Sequence, residues 1–341
     1  MDKIKTVFSF CMLILWIPGL FAQIKTDYPD IPRIDVHAHV ANDYEAIRYY
    51  LNLREVMLSE YDTDMAMWIN LSDKNHPTPR VDSVERISEQ RMLCAFADYE
   101  AARGLQHKPE DLEGLRERGF IGYKIWYGPW YRTLNEGEDG FRYVDDPVHE
   151  PMFSKMEELG ILAASLHIAD PNGPFGNRTP WCADPVEYWR EISALHNVIR
   201  RHPDLKLVAA HGSWLVCQDA QIDYLRFLLS TYPNFHVDLA ATFQYFSMVK
   251  TENLRDFMIE YSDRILFGTD IGRWHSDTET LDRAAAYMRC FRILETDELV
   301  EGSFFGRDPI QGLNLPREVL ENIYYKNAMR IYPRVSESRH L

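Results

Sequence analysis

The chain has no C-x-x-C pair, no glycine-rich phosphate loop and no excess of basic charge. After residue 22 it has no apolar run long enough to cross a bilayer. Each absence closes off a class. Without a C-x-x-C pair, the five cysteines suggest no cysteine-based zinc site. Cys94, Cys182, Cys217 and Cys290 show no framework spacing, so unpaired buried thiols are expected. Lys and Arg number 37 against 52 Asp and Glu, a net charge of −15, which argues against nucleic acid or an anionic membrane as partner. Proline- and serine-rich linkers, internal repeats and low-complexity tracts are absent too, so one domain is expected to cover most of the chain.

Residues 1–22 stand apart. Lys3 and Lys5 form a short basic start, residues 7–21 are mostly apolar, and Ala22 precedes Gln23. This is the layout of a secretory signal peptide. Its apolar core falls short of the roughly 20 residues that a spanning helix needs, and Pro18 and Gly19 interrupt its end. The expectation is cleavage and export to the periplasm or beyond, with no retained anchor. Cys11 lacks the small residues before it that a lipidation site would have.

What remains alternates between strand-like and helical patterns. Apolar, β-prone runs fall at 34–40, 65–71, 92–97, 121–126, 161–168, 205–211, 235–241 and 265–270. Helical periods lie between them; Ile222, Leu225, Leu228 and Leu229 share one helical face. Eight strands alternating with helices in 341 residues predict an α/β fold, a single (β/α)8 barrel over residues 23–335 with a polar tail at 336–341. A doubly wound open sheet is the runner-up, weakened by the missing phosphate loop after the first strand.

The first run, R-I-D-V-H-A-H-V, places His37 and His39 two residues apart, so both imidazoles point to one side of a strand. Later runs end in Lys124, His167, His211 and Asp270. The C-terminal ends of barrel strands converge on one face, where active sites are built. A lone histidine after an apolar run is more often a hydrogen-bonding residue than a ligand. Four histidines and an aspartate at converging ends point instead to a metal site. His76, His107, His149, His196, His202, His236 and His340 fall in loops, helices or strand interiors and read as surface or packing residues.

The stretches I-D-V-H-A-H, G-Y-K-I-W, H-I-A-D-P, H-P-D-L-K-L-V-A-A-H-G-S, Y-P-N-F-H-V-D-L-A-A, D-R-I-L-F-G-T-D and L-E-N-I-Y-Y-K-N-A-M-R-I-Y run from residue 31 to about 333. In them the chain resembles the amidohydrolase superfamily, and within it the amidohydrolase-related branch that includes aminocarboxymuconate-semialdehyde decarboxylase-like enzymes. The resemblance implies one divalent metal held by His37, His39, His167 and Asp270. Zinc is the first choice, and ligand type does not separate it from manganese or iron. It implies that Asp270 relays a proton and that His211 polarises a substrate carbonyl or orients the water. Lys124 matches the place of the lysine that bridges two metals in other branches; here it is read as a substrate-carboxylate contact or a structural ion-pair residue.

The resemblance leaves two reactions open. One is hydrolysis of an amide, lactone or ester bond in a small cyclic or carboxylated molecule; the other is non-oxidative decarboxylation of an aromatic or muconate-type acid. Aromatic side chains crowd the loops after several strands: Trp126, Tyr127, Trp130 and Tyr131, then Phe175 and Trp181, Phe243 and Tyr245, and Trp274. They suit a flat ring or a sugar. Trp126, Arg178 and Arg273, together with Arg132, are candidate substrate contacts, and residues 171–180 read as a lid. A small-molecule substrate is expected, with the barrel working alone or as a homo-oligomer.

Overall fold

All eight apolar runs contribute parallel strands to a closed ring. The computed structural model describes residues 25–40, 43–72, 81–99, 105–127, 142–170, 185–272 and 279–341. The strands are β1 (Ile34–His39), β2 (Met67–Ser72), β3 (Met92–Asp98), β4 (Gly122–Ile125), β5 (Leu162–Leu166), β6 (Leu207–Ala209) and β7 (Phe235–Asp238). The eighth is split into β8 (Ile265–Leu266) and β9 (Ile271–Gly272). Each strand pairs in parallel with its sequence neighbour; β8 pairs with β7 and β9 with β1.

The split has a physical cause. Between the two pieces, the Phe267 amide donates to Ile323 of the C-terminal segment rather than to β7. The ring stays closed through Val36 N to Phe267 O at 3.0 Å and Asp270 N to His37 O at 2.8 Å. Residues 265–272 therefore act as one interrupted stave of an eight-stranded barrel.

The helices follow their periods. Ile222, Leu225, Leu228 and Leu229 are all buried in the helix Asp219–Thr231, the face that their spacing predicts. The floor of the barrel is apolar: Ala328, Ile331, Tyr332 and Val335 from the C-terminal segment join the interior side chains of β1, β2 and β3. The plugged floor leaves the C-terminal mouth of the ring for chemistry. Cys94, Cys217 and Cys290 are free and buried, as expected, and Cys182 lies outside the described residues. Among those residues no helix is long and apolar enough to cross a membrane.

Candidate metal centre

Two strands are kinked to bring their histidines inside. In β1 the register against β2 slips between Asp35 and Ala38. Ile34 and Val36 face the barrel interior, and the slip allows His37 and His39 to face it as well. In β5 the slip lies between Ala163 and Leu166, with Ser165 in the left-handed region at φ 46°. Ser165 and His167 thereby both turn inward. β6 ends early and enters a left-handed turn, with His211, Gly212, Ser213 and Trp214 at φ 59°, 56°, 52° and 61°. Three of these are not glycine, and such a backbone costs roughly 1–2 kcal/mol per residue. It is held by Tyr188 Oη donating to Ser213 O at 2.9 Å, Trp214 Nε1 donating to Ala169 O at 2.6 Å, and the Trp214 ring stacked on His211 at 4.5 Å.

Each of the four histidines is gripped by one ring nitrogen and directs the other inward. His37 Nδ1 meets Asp238 Oδ2 at 3.0 Å. His39 Nδ1 meets the Tyr99 hydroxyl. His167 Nε2 meets Asp170 Oδ1 at 3.1 Å, and His211 Nδ1 donates to Ala240 O at 2.8 Å. The gripping partner sets the tautomer and ring orientation of a metal-ligating histidine. The inward nitrogens then form two groups. His37 Nε2 and His39 Nε2 lie 3.2 Å and 3.1 Å from Asp270 Oδ1. His211 Nε2 lies 3.1 Å from His167 Nδ1.

Lys124 completes the first group, its Nζ 2.8 Å from His37 Nε2. At 1% exposure it is packed against that imidazole. Trp126, expected as a substrate contact, donates its indole N–H to His167 Nδ1 at 3.0 Å. Arg132, Arg178, Arg273, the expected lid at 171–180 and the signal segment 1–22 lie outside the described residues, as do Trp130, Tyr131, Phe175, Trp181 and Trp274.

Burial pushes His39, His167 and His211 down to about 3, so these imidazoles are neutral. His37 moves the other way. Burial and the Lys124 ammonium oppose its protonation, but Asp238 and Asp270 outweigh them. Lys124 itself falls to about 8, burial outweighing the pull of the same two carboxylates. Burial alone would raise Asp270, yet His37 and His39 hold it well below the carboxylate range. Its side chain is 27% exposed, against 0% for His37 and 7% for His39. Solvent therefore reaches the group from the Asp270 side.

This donor set fits a divalent cation. The ligand atoms of His37, His39 and Asp270 lie within 4.8 Å of one another, and two imidazoles with a carboxylate suit zinc or its neighbours at about 2.0–2.2 Å per bond. On the other side, the Trp126 indole N–H already meets the His167 Nδ1 lone pair, and His211, whose Nδ1 hydrogen goes to Ala240 O, turns its Nε2 acceptor inward 3.1 Å from His167 Nδ1. A further close group, His37, His211 and Asp238, has a simpler explanation. Asp238 accepts from His37, the Ser165 hydroxyl, the His211 amide and the Ala240 amide, which uses its capacity. His167 belongs to neither close group of three; it stands beside the site with His211.

Sequence reasoning did not assign Asp238, Asp170, Tyr99 or Asp35. Asp238 ends an apolar strand, as Asp270 does, and the same rule would have found it. Asp35 lies two residues before His37 and stitches the ring behind it. It accepts from the His37 amide at 3.0 Å, the Thr269 amide at 3.1 Å, the Thr269 hydroxyl, and the Tyr287 hydroxyl at 2.7 Å.

A family profile described as amidohydrolase matches residues 34–334. A TIM-barrel protein of Bordetella bronchiseptica has 13% identity and a TM-score of 0.53, covering 88% of this chain and 98% of its own. An amidohydrolase of Burkholderia multivorans has 14% identity and a TM-score of 0.47, with coverage of 88% and 98%. The 5-carboxyvanillate decarboxylase of Novosphingobium aromaticivorans, solved with manganese, has 13% identity and a TM-score of 0.47, with coverage of 92% and 99%. A search of the curated proteins finds no match.

Proposed function

The chain belongs to the amidohydrolase family, and on that premise we propose that it is an exported hydrolase that uses one divalent metal to cleave an amide, lactone or ester bond in a small cyclic or carboxylated molecule. The carrying observation is the convergence of His37 Nε2 and His39 Nε2 on Asp270 Oδ1, with the far side of each imidazole gripped by Asp238 or Tyr99.

In this reading His37, His39 and Asp270 hold the metal, and His167 joins them as the family resemblance implies. When bound, the metal acidifies a water towards neutrality and so supplies the nucleophile. Asp270 would take a proton from the attacking water and return it to the leaving group. Two properties suit it to this: its carboxyl is held ionised and it is the member that solvent touches. His211 orients the water. Its Nδ1 hydrogen is committed to Ala240 O and burial keeps the ring neutral, so Nε2 accepts a hydrogen bond and does not donate one to a carbonyl. Trp126 and Tyr99 pack edge to face beside His167 and His39. Residues 1–22 are the proposed export leader.

The test is metal analysis of fresh protein followed by a screen over lactones, N-acyl compounds and aromatic acids. About one equivalent of metal, lost in His37→Ala, and ring opening or acyl release in the screen support the reading. No metal in the wild type overturns it. Carbon dioxide release without water uptake makes the enzyme a lyase on the same ligands.

A further inference from the structure

Away from the metal centre, one buried cation has no ion-pair partner among the described residues. Arg283 lies in the first turns of the helix Thr280–Glu295, which packs against the helix Tyr44–Tyr61. It is 3% exposed. Neither Nη1 nor Nη2 has a hydrogen-bond partner. The Tyr50 hydroxyl, 2% exposed, faces the guanidinium at loose hydrogen-bond range and has no partner of good geometry among the described residues.

Packing explains only part of this. The guanidinium lies over the Tyr49 ring at 5.0 Å, a cation–π contact that uses the face of the group. The N–H bonds lie in the guanidinium plane, so stacking leaves them unmet. The acids on the same helix turn do not meet them either: Glu279 and Asp282 are exposed. The buried Asp35 is occupied by Thr269, Tyr287 and the His37 amide. What the locus offers is donors, the N–H groups on Nη1 and Nη2 of Arg283 and the hydroxyl hydrogen of Tyr50. A buried cation with unpaired donors is costly unless something negative joins it.

We propose that Arg283 and Tyr50 form a binding site for a small monovalent anion of chloride size, enclosed between the helices Tyr44–Tyr61 and Thr280–Glu295. At 3% and 2% exposure, Arg283 and Tyr50 lie too deep for a drug-sized carboxylate to meet both. The site lies one helical turn from Tyr287, whose hydroxyl supports Asp35 behind His37; positions 283 and 287 share a helix face. An anion here locks together the two helices that back the β1 side of the barrel.

The test is thermal unfolding of the full chain in sodium chloride against sodium gluconate at matched ionic strength, with bromide-soaked crystals as the second measurement. The expected result is a midpoint that climbs with chloride in the wild type, no chloride-specific climb in Arg283→Met and a weakened one in Tyr50→Phe. An anomalous bromide peak within hydrogen-bond distance of both side chains completes it. If Arg283→Met fails to fold, Tyr50→Phe and the wild-type diffraction decide. An equal chloride response in wild type and variants, or no halide at Arg283, overturns the proposal.

Discussion

On one side of the barrel mouth, β1 and the interrupted eighth strand bring two imidazoles onto a carboxylate; on the other, β5 and β6 bring two imidazoles onto each other. The first side carries charge. Asp238 and Asp270 raise His37 against its burial, and Lys124 sits in the same group. The second side is neutral, with His167 and His211 both pushed down to about 3. The two sides also reach their geometry differently. β1 keeps its ladder through a bulge, whereas β6 stops and His211 rides on a left-handed turn. The difference teaches a division of labour: the charged side is built to hold a cation, and the neutral side offers the His211 Nε2 lone pair, which suits a water.

Asp270→Asn gives the largest expected effect on that division. It removes the proton acceptor and leaves the imidazoles in place, so turnover falls by roughly 10³-fold while metal analysis shows partial retention. Unchanged turnover breaks the assignment of Asp270. His211→Ala comes next. It should cut the rate about 10²-fold with metal content intact; loss of metal would move His211 to the cation-holding side. For Asp238→Asn, which weakens the grip on His37 Nδ1, the expected result is a 10- to 100-fold loss of metal affinity, read by competition with a chelator. An unaltered affinity would show that β1 alone aims the ring.

The smallest effect concerns the stitch behind β1. Burial pushes Asp35 up to about 6 from 3.8, against the hydrogen bonds that favour its charge. The folded chain therefore takes up a proton there before the unfolded chain does. The contribution to stability is greatest below pH 3.8 and is lost as pH rises to 6. In denaturant titrations across that window, wild type should lose more stability than Asp35→Asn, by at most about 3 kcal/mol. A parallel pH dependence in the two proteins would remove Asp35 from the account.

Much of this was legible before any coordinates. Alternating apolar runs announce eight strands, and the ends of the first and last carry His37, His39 and Asp270, which do meet. Asp238 was readable by the same rule and went unassigned, because an acid after a strand carries no mark of what it will grip. Asp35 and Tyr99 were beyond reach. Their roles depend on partners 234 and 60 residues away in the chain.

Sequence by itself determined the barrel, its family and the residue types at the strand ends, because burial period and strand length are local properties that each segment carries alone. Tertiary structure decided which nitrogen of each imidazole faces inward, that His167 pairs with His211, that Lys124 is sealed against His37, and where the eighth strand breaks. Those outcomes follow from ring closure. They depend on register slips of one residue and on contacts between strands far apart in the chain, and no local pattern encodes either.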